Sequence, residues 1–357
     1  MKIAVAMSGG IDSSLTAILL KEQGHDIVGI TARVLTEELM QGSSETDDLC
    51  CTTRNIIDAR RVAEEYGFPH HVLDLADDFT RGVINPFCEE YFSGRTPSPC
   101  LTCNVRIKFG RLLEEARKMG CEKIATGHYA RIITDKDGRS SVSMGADREK
   151  DQAYFLAMLP REILGFILLP LGGYRKEEIR AMAAERKLFF ADKPESQEIC
   201  FIIDGDYPSF IERHTGTVPE PGDIIDTEGR VLGKHNGIHR YTIGQRRGMG
   251  IAAPHPLYVL EIDARRNVII AGRKEELLRK GLFADRINYM KATRLEGEAL
   301  VKTRSTQPPV PAMLEEGDSG VYVHFAEPQS GISPGQAAVF YNRNGDILGG
   351  AWIVKAL

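Results

Sequence analysis

Ala6-Met7-Ser8-Gly9-Gly10-Ile11-Asp12-Ser13-Ser14 lies between an apolar run, Ile3-Ala4-Val5, and an apolar-periodic segment that begins at Leu15. That order reads as strand, glycine turn, helix. Two adjacent glycines let the backbone turn tightly and leave no Cβ in a ligand's way. The following helix aims its unpaired N–H groups, and the positive end of its dipole, at whatever occupies the turn. Such a place suits phosphate. Ser8, Ser13 and Ser14 add hydroxyl donors, and Asp12 is placed to hold a magnesium ion. The plainer reading is a capped helix start, with Asp12 or Ser13 as the N-cap. The position after the first strand of an α/β pattern favours phosphate.

Outward from this stretch, strands and helices alternate. Strands are predicted at residues 2–6, 26–32, 70–75 and 123–126. Helices are predicted at 13–23, 52–66, from 77 with an interruption at Asn85-Pro86, and at 104–119. This alternation implies a parallel, doubly wound sheet, which binds ligands at the carboxyl ends of its strands. The glycine turn, Ala32 and Gly127 all fall at such ends. Residues 36–49 form a polar loop expected to be mobile, and 151–187 read as helical with a break at Pro170-Leu171-Gly172-Gly173. Beyond Cys200 short β-type runs take over, with hairpin turns at Glu228-Gly229 and Asn344-Gly345. The expected organisation is an α/β domain over 1–205, a small central domain over 206–283 and a β-barrel over 284–357.

The 357-residue chain is 42% hydrophobic and 27% charged, as soluble proteins are. No apolar run approaches the roughly 20 residues that span a bilayer. The amino terminus lacks a signal-peptide layout, so a cytoplasmic protein without a membrane partner is expected. A formal net charge of −5 means that a nucleic-acid partner needs a local basic surface. Candidates are Lys234-His235, His239-Arg240, Gln245-Arg246-Arg247 and residues 302–304, with Tyr241 and His239 to stack on bases. A merely solvated charged face is the plain alternative. Glycines bracket Arg246-Arg247, which suggests a shaped loop.

Seven cysteines in an intracellular chain argue for reduced thiols with metal or catalytic roles. Cys100-Leu101-Thr102-Cys103 has metal-ligand or redox spacing, just before the helix predicted from Asn104. A thiol at a helix start, near Arg106 and Lys108, has its thiolate stabilised. Cys200 lies in Pro194-Glu195-Ser196-Gln197-Glu198-Ile199-Cys200-Phe201-Ile202. Cys88 and Cys121 read as small buried hydrophobes. Cys50 and Cys51 are neighbours and cannot easily ligate one ion together. A closed zinc site needs four ligands, and Cys100, Cys103 and Cys200 supply three.

Ser8 to Ser14 resembles the PP-loop of ATP-pyrophosphatases, which cut ATP between the α and β phosphates and form adenylated intermediates. Further stretches narrow the resemblance to the tRNA-specific 2-thiouridylases. They are Pro97-x-Pro99-x-x-x-Cys103-Asn104 with Ile107-Lys108-Phe109, Ala125-Thr126-Gly127-His128-Tyr129-Ala130-Arg131, and Lys150-Asp151-Gln152-Ala153-Tyr154-Phe155-Leu156. Glu195 to Phe201, Gly233-Lys234-His235, Tyr241 to Gly250 and Pro334-Gly335-Gln336-Ala337 follow in order.

The resemblance implies an adenine nucleotide alpha-hydrolase-like fold and ATP-dependent 2-thiolation of the wobble uridine of tRNA, with magnesium. It implies that Ala6, Met7, Ser8, Gly9, Gly10, Ile11, Asp12 and Ser13 cradle ATP, with Ala32 and Gly127 beside the nucleotide. Cys200 would carry sulfur as a persulfide from a donor or sulfur-relay protein. Cys103 would be the partner nucleophile, and the two would pass through a transient disulfide. Lys150, Asp151 and Gln152 match a tRNA-contacting segment. Two departures matter. Where the family often has Tyr-Arg before a Gln, this chain has Ser305-Thr306 before Gln307, which leaves Arg304 to remake any tRNA contact there. Cys100 stands where some relatives have Asp, which admits a three-cysteine iron–sulfur site with Cys103 and Cys200. The other readings are a PP-loop amidotransferase or ligase that adenylates a small substrate, and a non-catalytic RNA-binding sulfur carrier.

Overall fold

The structure, a computed structural model, describes residues 1–36, 53–189, 199–202 and 205–357. Cys50, Cys51, nearly all of the polar loop and Glu195 to Glu198 lie outside the described residues. The chain divides into two compact units. One comprises Met1–Val83, Pro99–Gly205 and Asn344–Ile347; the other comprises Ile84–Ser98, Asp206–Arg343 and Leu348–Leu357. Among the described residues no helix is long and apolar enough to cross a membrane.

The first unit is built on β1 (Lys2–Ala6), β2 (Asp26–Arg33), β3 (His70–Asp74), β4 (Lys123–Ala125) and β7 (Ile167–Leu168). They form one parallel sheet in the order β3-β2-β1-β4-β7. Ile3, Ala4 and Val5 are all fully buried, as an unbroken apolar run in a sheet covered on both faces requires. Ile3 and Val5 share a core with α1 (Ile11–Glu22), α2 (Thr53–Glu65) and α7 (Lys176–Glu185) through Leu15, Ile18, Val62 and Ile179. The chain runs outward from β1 to β2 and β3 in one direction, and from β4 to β7 in the other. The carboxyl ends of β1 and β4 therefore flank the crevice where such sheets bind ligands.

Two predicted helices take different forms. The helix expected at 104–119 begins earlier. It runs through α5 (Pro99–Cys103), a π-helical stretch (Asn104–Arg111) and α6 (Leu112–Lys118) without a break. The interruption near Pro86 is taken up by a π-helical turn (Thr80–Ile84) between α3 (Ala76–Phe79) and α4 (Asn85–Phe92). Residues 151–175 are not helical as expected, but form 3-10 turns and β7. Pro160 and Pro170 remove the amide donors a continuous helix needs. The sequence reading also passed over a hairpin, β5 (Ala130–Thr134) with β6 (Ser140–Met144). Its Asp137-Gly138 turn was the available signal.

The second unit holds α8 (Tyr207–Thr215) and a four-stranded sheet in the order β10-β11-β8-β9. Its strands are β8 (Gly222–Ile225), β9 (Val231–His235), β10 (Tyr258–Asp263) and β11 (Val268–Gly272). The remaining strands are β12 (Arg279–Tyr289), β13 (Gly297–Lys302), β14 (Val310–Gly317), β15 (Gly320–Gln329), β16 (Ala337–Tyr341) and β17 (Ile347–Ala356). They close into a six-stranded barrel, ordered β12-β15-β14-β13-β16-β17 around Leu282, Val301, Val323, Phe340 and Ile353. The first barrel strand begins at Arg279. Both predicted hairpins are present, one in the sheet and one in the barrel.

A half-buried histidine supports the turn that follows β1. Thr31 Oγ1 donates to the Met7 carbonyl at 2.8 Å and lies 2.8 Å from His70 Nε2. With the hydroxyl proton spent on Met7, His70 Nε2–H is the donor of that second bond. Burial, with help from Arg60 and His71, lowers the His70 pKa from 6.5 to about 4. The unfolded chain therefore binds a proton below pH 6.5 that the native state refuses until about pH 4. Stability must fall as pH drops through that window. Urea midpoints measured from pH 7 to pH 4 are expected to decline less steeply in His70→Gln than in the unaltered protein. Equal slopes would show that His70 is not held neutral.

Candidate active site

β1 delivers Ala6 to the glycine turn, and Met7 N–H extends the pairing by donating to the Ile30 carbonyl at 2.8 Å. Gly9 has φ +71°, and a Cβ there would lie 2.2 Å from the Asn55 carbonyl oxygen, so only glycine fits. The N-cap is Gly10, with no side-chain capping bond, and α1 starts at Ile11, two residues earlier than predicted. Neither Asp12 nor Ser13 is the cap. The serines turn inward. Ser13 Oγ accepts from Ser8 N–H at 3.1 Å and donates to the Gly10 carbonyl at 3.2 Å. Ser14 is fully buried, so it is not a hydroxyl for a ligand. What remains is a helix N-terminus that no side chain caps, the arrangement that attracts an anion.

Gly127, just past β4, presses on this start. A Cβ at Gly127 would lie 2.8 Å from the Asp12 carbonyl carbon and 3.0 Å from Ser13 N. Ala32 sits near the carboxyl end of β2, in register with Leu73. Residues 6–13, Ala32 and Gly127 therefore gather at the ends of three neighbouring strands, as expected. His128 lies 2.7 Å from Thr126 Oγ1 through Nδ1, and burial with the nearby Lys108 ammonium pushes its pKa well below the usual value.

Asp12 has partners that sequence reasoning missed. Lys176 Nζ donates to both carboxylate oxygens at 2.8 Å, and Tyr129 OH donates to Oδ1 at 2.7 Å. The Lys176 side chain is only 7% exposed. Oδ1 thus has both lone pairs engaged, and Oδ2 keeps one. Among the described residues no three His, Cys, Asp or Glu side chains converge as a metal site. Magnesium would therefore find one carboxylate oxygen here and would be held chiefly by phosphate. Cys100, Cys103 and Cys200 likewise do not converge, so no step is derived through an iron–sulfur cluster.

Cys103 and Cys200 are both partly buried thiols in the first unit. Cys103 has φ −60° and ψ −43°, inside the continuous helix rather than at its start. The dipole argument therefore passes to Cys100, which is exposed in the first turn. Asn104 is buried and donates through Nδ2 to the Phe155 carbonyl at 2.9 Å, which pins the helix beside Cys103. Beyond Cys200, Phe201 packs edge-on against Phe79 with ring centroids 5.7 Å apart. Asp78, next to Phe79, pairs with Arg111 Nε at 3.3 Å. Both thiols are thus anchored to one scaffold, α3 and the helix that carries Cys103. Cys88 and Cys121 are buried as expected, and burial pushes the Cys88 thiol up to about 12.

Several basic candidates are structural. His235 is buried and lies 3.1 Å from the Asn267 carbonyl. His239 is fully buried 2.9 Å from Glu212, and Lys302 is buried as well. Neither His239 nor Tyr241, which is also buried, presents a ring for stacking on bases. Arg246 and Arg247 are exposed, and the Gln245 side chain shapes their loop. It accepts from Thr242 N–H at 3.0 Å and donates to the Arg247 carbonyl at 2.8 Å. Arg304 lies over Gly331, and its guanidinium reaches the Ile243 carbonyl at 3.5 Å; Thr306 is exposed and Ser305 half-buried. Lys150, Asp151 and Gln152 lie in the first unit, where Gln152 Oε1 accepts from Tyr129 N–H at 3.0 Å. In the second unit, the Pro334-Gly335-Gln336 motif fastens the chain just before Cys100. Gln336 Nε2 donates to the carbonyls of Thr96 at 3.0 Å and Pro97 at 2.8 Å.

Residues 1–204 match the tRNA methyl transferase HUP domain, 208–273 the tRNA methyl transferase PRC-barrel domain, and 279–353 the aminomethyltransferase beta-barrel domain. Curated relatives match from end to end. The tRNA-specific 2-thiouridylase MnmA of Geobacter metallireducens is 47% identical, over 100% of this chain and 97% of the relative. The enzymes of the same name from Syntrophotalea carbinolica and Carboxydothermus hydrogenoformans are 46% and 45% identical, over 98% and 100% of this chain and 98% of each relative.

The backbone contact at Gly127 is testable without substrate. Gly127→Ala forces a methyl into backbone that cannot yield, and is expected to cost about 1–3 kcal/mol in chemical denaturation. An unchanged denaturation midpoint would refute the close approach.

Proposed function

The chain belongs to the tRNA-specific 2-thiouridylase family, and from that premise we propose how its residues divide the reaction. It is a tRNA sulfurtransferase. The chemical difficulty is that the uracil C2 oxygen is a poor leaving group. Attack of that oxygen on the α-phosphate of ATP forms an adenylate and expels pyrophosphate. The uncapped N-terminus of α1 is the observation that carries this assignment, because it sets backbone donors where phosphate charge accumulates. Ser8, Gly9 and Gly10 shape the cradle, and Gly127 closes it against α1. Magnesium bound with the nucleotide would add positive charge at the departing pyrophosphate.

The second half belongs to the thiols. Cys200 receives a sulfur atom from a persulfide donor or relay protein and holds it as Cys200–S–SH. Two routes deliver it. The terminal sulfur can attack C2, expelling AMP and leaving Cys200 bonded through sulfur to the uracil. Cys103 thiolate then attacks Cys200 Sγ, which frees the 2-thiouridine. In the other route Cys103 attacks Cys200 Sγ first and releases hydrosulfide, which attacks C2. Both end in a Cys103–Cys200 disulfide that an external dithiol must reduce. The anchoring of both thiols on α3 and its helical neighbour supports their pairing. Lys150, Asp151, Gln152, Arg304, Ser305 and Thr306 are the proposed tRNA contacts. The central sheet and the barrel are proposed to bear on the same RNA. The full-length match to 2-thiouridylases sets aside the amidotransferase and sulfur-carrier readings.

Incubation with unmodified tRNA, ATP, magnesium, a persulfide donor and a dithiol, followed by nucleoside mass spectrometry, should yield 2-thiouridine. Cys103→Ser and Cys200→Ser should each reduce it below detection while nucleotide binding persists. Turnover retained by either variant would remove that cysteine from the mechanism.

A further inference from the structure

Asp12 belongs to a closed circuit of polar contacts within the first unit. Lys176 Nζ grips its carboxylate, and Lys176 N–H donates to Asp147 Oδ2 at 2.9 Å. Asp147 Oδ1 in turn accepts from Glu149 N–H at 3.1 Å and Lys150 N–H at 3.2 Å. Two residues on, Gln152 and Tyr129 exchange bonds. Gln152 N–H donates to the Tyr129 carbonyl at 2.9 Å, and Tyr129 N–H donates to Gln152 Oε1 at 3.0 Å. Tyr129 OH then returns to Asp12 at 2.7 Å. Both donors that hold Asp12 are therefore mounted on the segment 147–152.

We propose that Lys176, Tyr129 and Asp147 are positioning residues that couple RNA binding at Lys150-Asp151-Gln152 to nucleotide binding at the glycine turn. This rests on the functional reading above, which places RNA on that segment. The charge argument comes first. Asp12 is the second residue of α1, where a bare carboxylate would compete with phosphate for the helix N-terminus and repel it. Lys176, itself nearly out of water, cancels that charge. Removing one partner leaves the other uncompensated in a poor solvent, whereas removing both leaves no stranded charge. The coupling argument follows. A shift of the segment 147–152 on binding RNA moves the Asp147 acceptor and the Tyr129 backbone together, and so resets both donors to Asp12. Linkage then requires that RNA and nucleotide change each other's affinity by one factor.

The test measures the affinity of a non-cleavable ATP analogue by calorimetry, with and without saturating tRNA. In the unaltered protein tRNA should tighten the analogue about tenfold, within the usual span of coupling. Asp147→Ala should reduce that factor to under about twofold, with each ligand still binding alone. Lys176→Met should weaken the analogue in either condition, and adding Asp12→Asn to it should recover most of the loss. Undiminished coupling in Asp147→Ala, or no recovery in the double variant, overturns the proposal. An unaltered protein that binds tRNA without affecting the analogue also overturns it, while leaving the thiolation reading intact. One that binds no tRNA overturns both.

Discussion

The ion pair between Lys176 and Asp12 joins residues 164 positions apart, with two 2.8 Å bonds and almost no water on the lysine. Burying such a pair brings little net stability, because desolvation cancels most of the attraction. What it supplies is geometry. The pair fixes the first turn of α7 against the first turn of α1, and so ties the glycine turn to chain laid down long after the central strand. Tyr129 adds a second donor from the segment that follows β4. The loop is thereby held from two directions by groups that are costly to leave unpaired. The phosphate cradle proposed for this turn, made of backbone amides, needs such support, because amides cannot adjust by rotating side chains.

The glycine turn and the parallel sheet were legible because their signals are local. Ile3-Ala4-Val5 is an unbroken apolar run, the glycines mark the turn, and α1, α2 and their strands carry their own periodicity. The barrel was legible for the same reason, through repeated short β runs with glycine turns. The support of the site was not. Lys176 looks like an ordinary basic residue at a helix start, and Asp147 like one more loop carboxylate. Their roles exist only after the chain has folded back across more than a hundred residues. Burial was equally hidden. His235 and His239 sit among Lys and Arg in the sequence and invite an RNA reading, yet each spends its ring on internal hydrogen bonds. The helical reading of 151–175 failed because apolar spacing alone cannot show how two prolines cut it into turns.

The thiols raise a different question, because Cys103 is not where the dipole argument wanted it. It lies inside a continuous helix, at the junction where α-helical pairing gives way to π-helical pairing. Such junctions widen the backbone and often mark functional positions. The bond from Asn104 to the Phe155 carbonyl holds the junction. Phe155 N–H donates to the Gln152 carbonyl at 3.0 Å, and Gln152 is the residue that exchanges bonds with Tyr129. One short segment, 152–155, therefore supports the glycine turn through Tyr129 and the Cys103 helix through Asn104. In the proposed reaction, activation of the oxygen and delivery of the sulfur meet at a single carbon atom. A rigid support shared by the two halves sets their relative placement more closely than either anchor would alone.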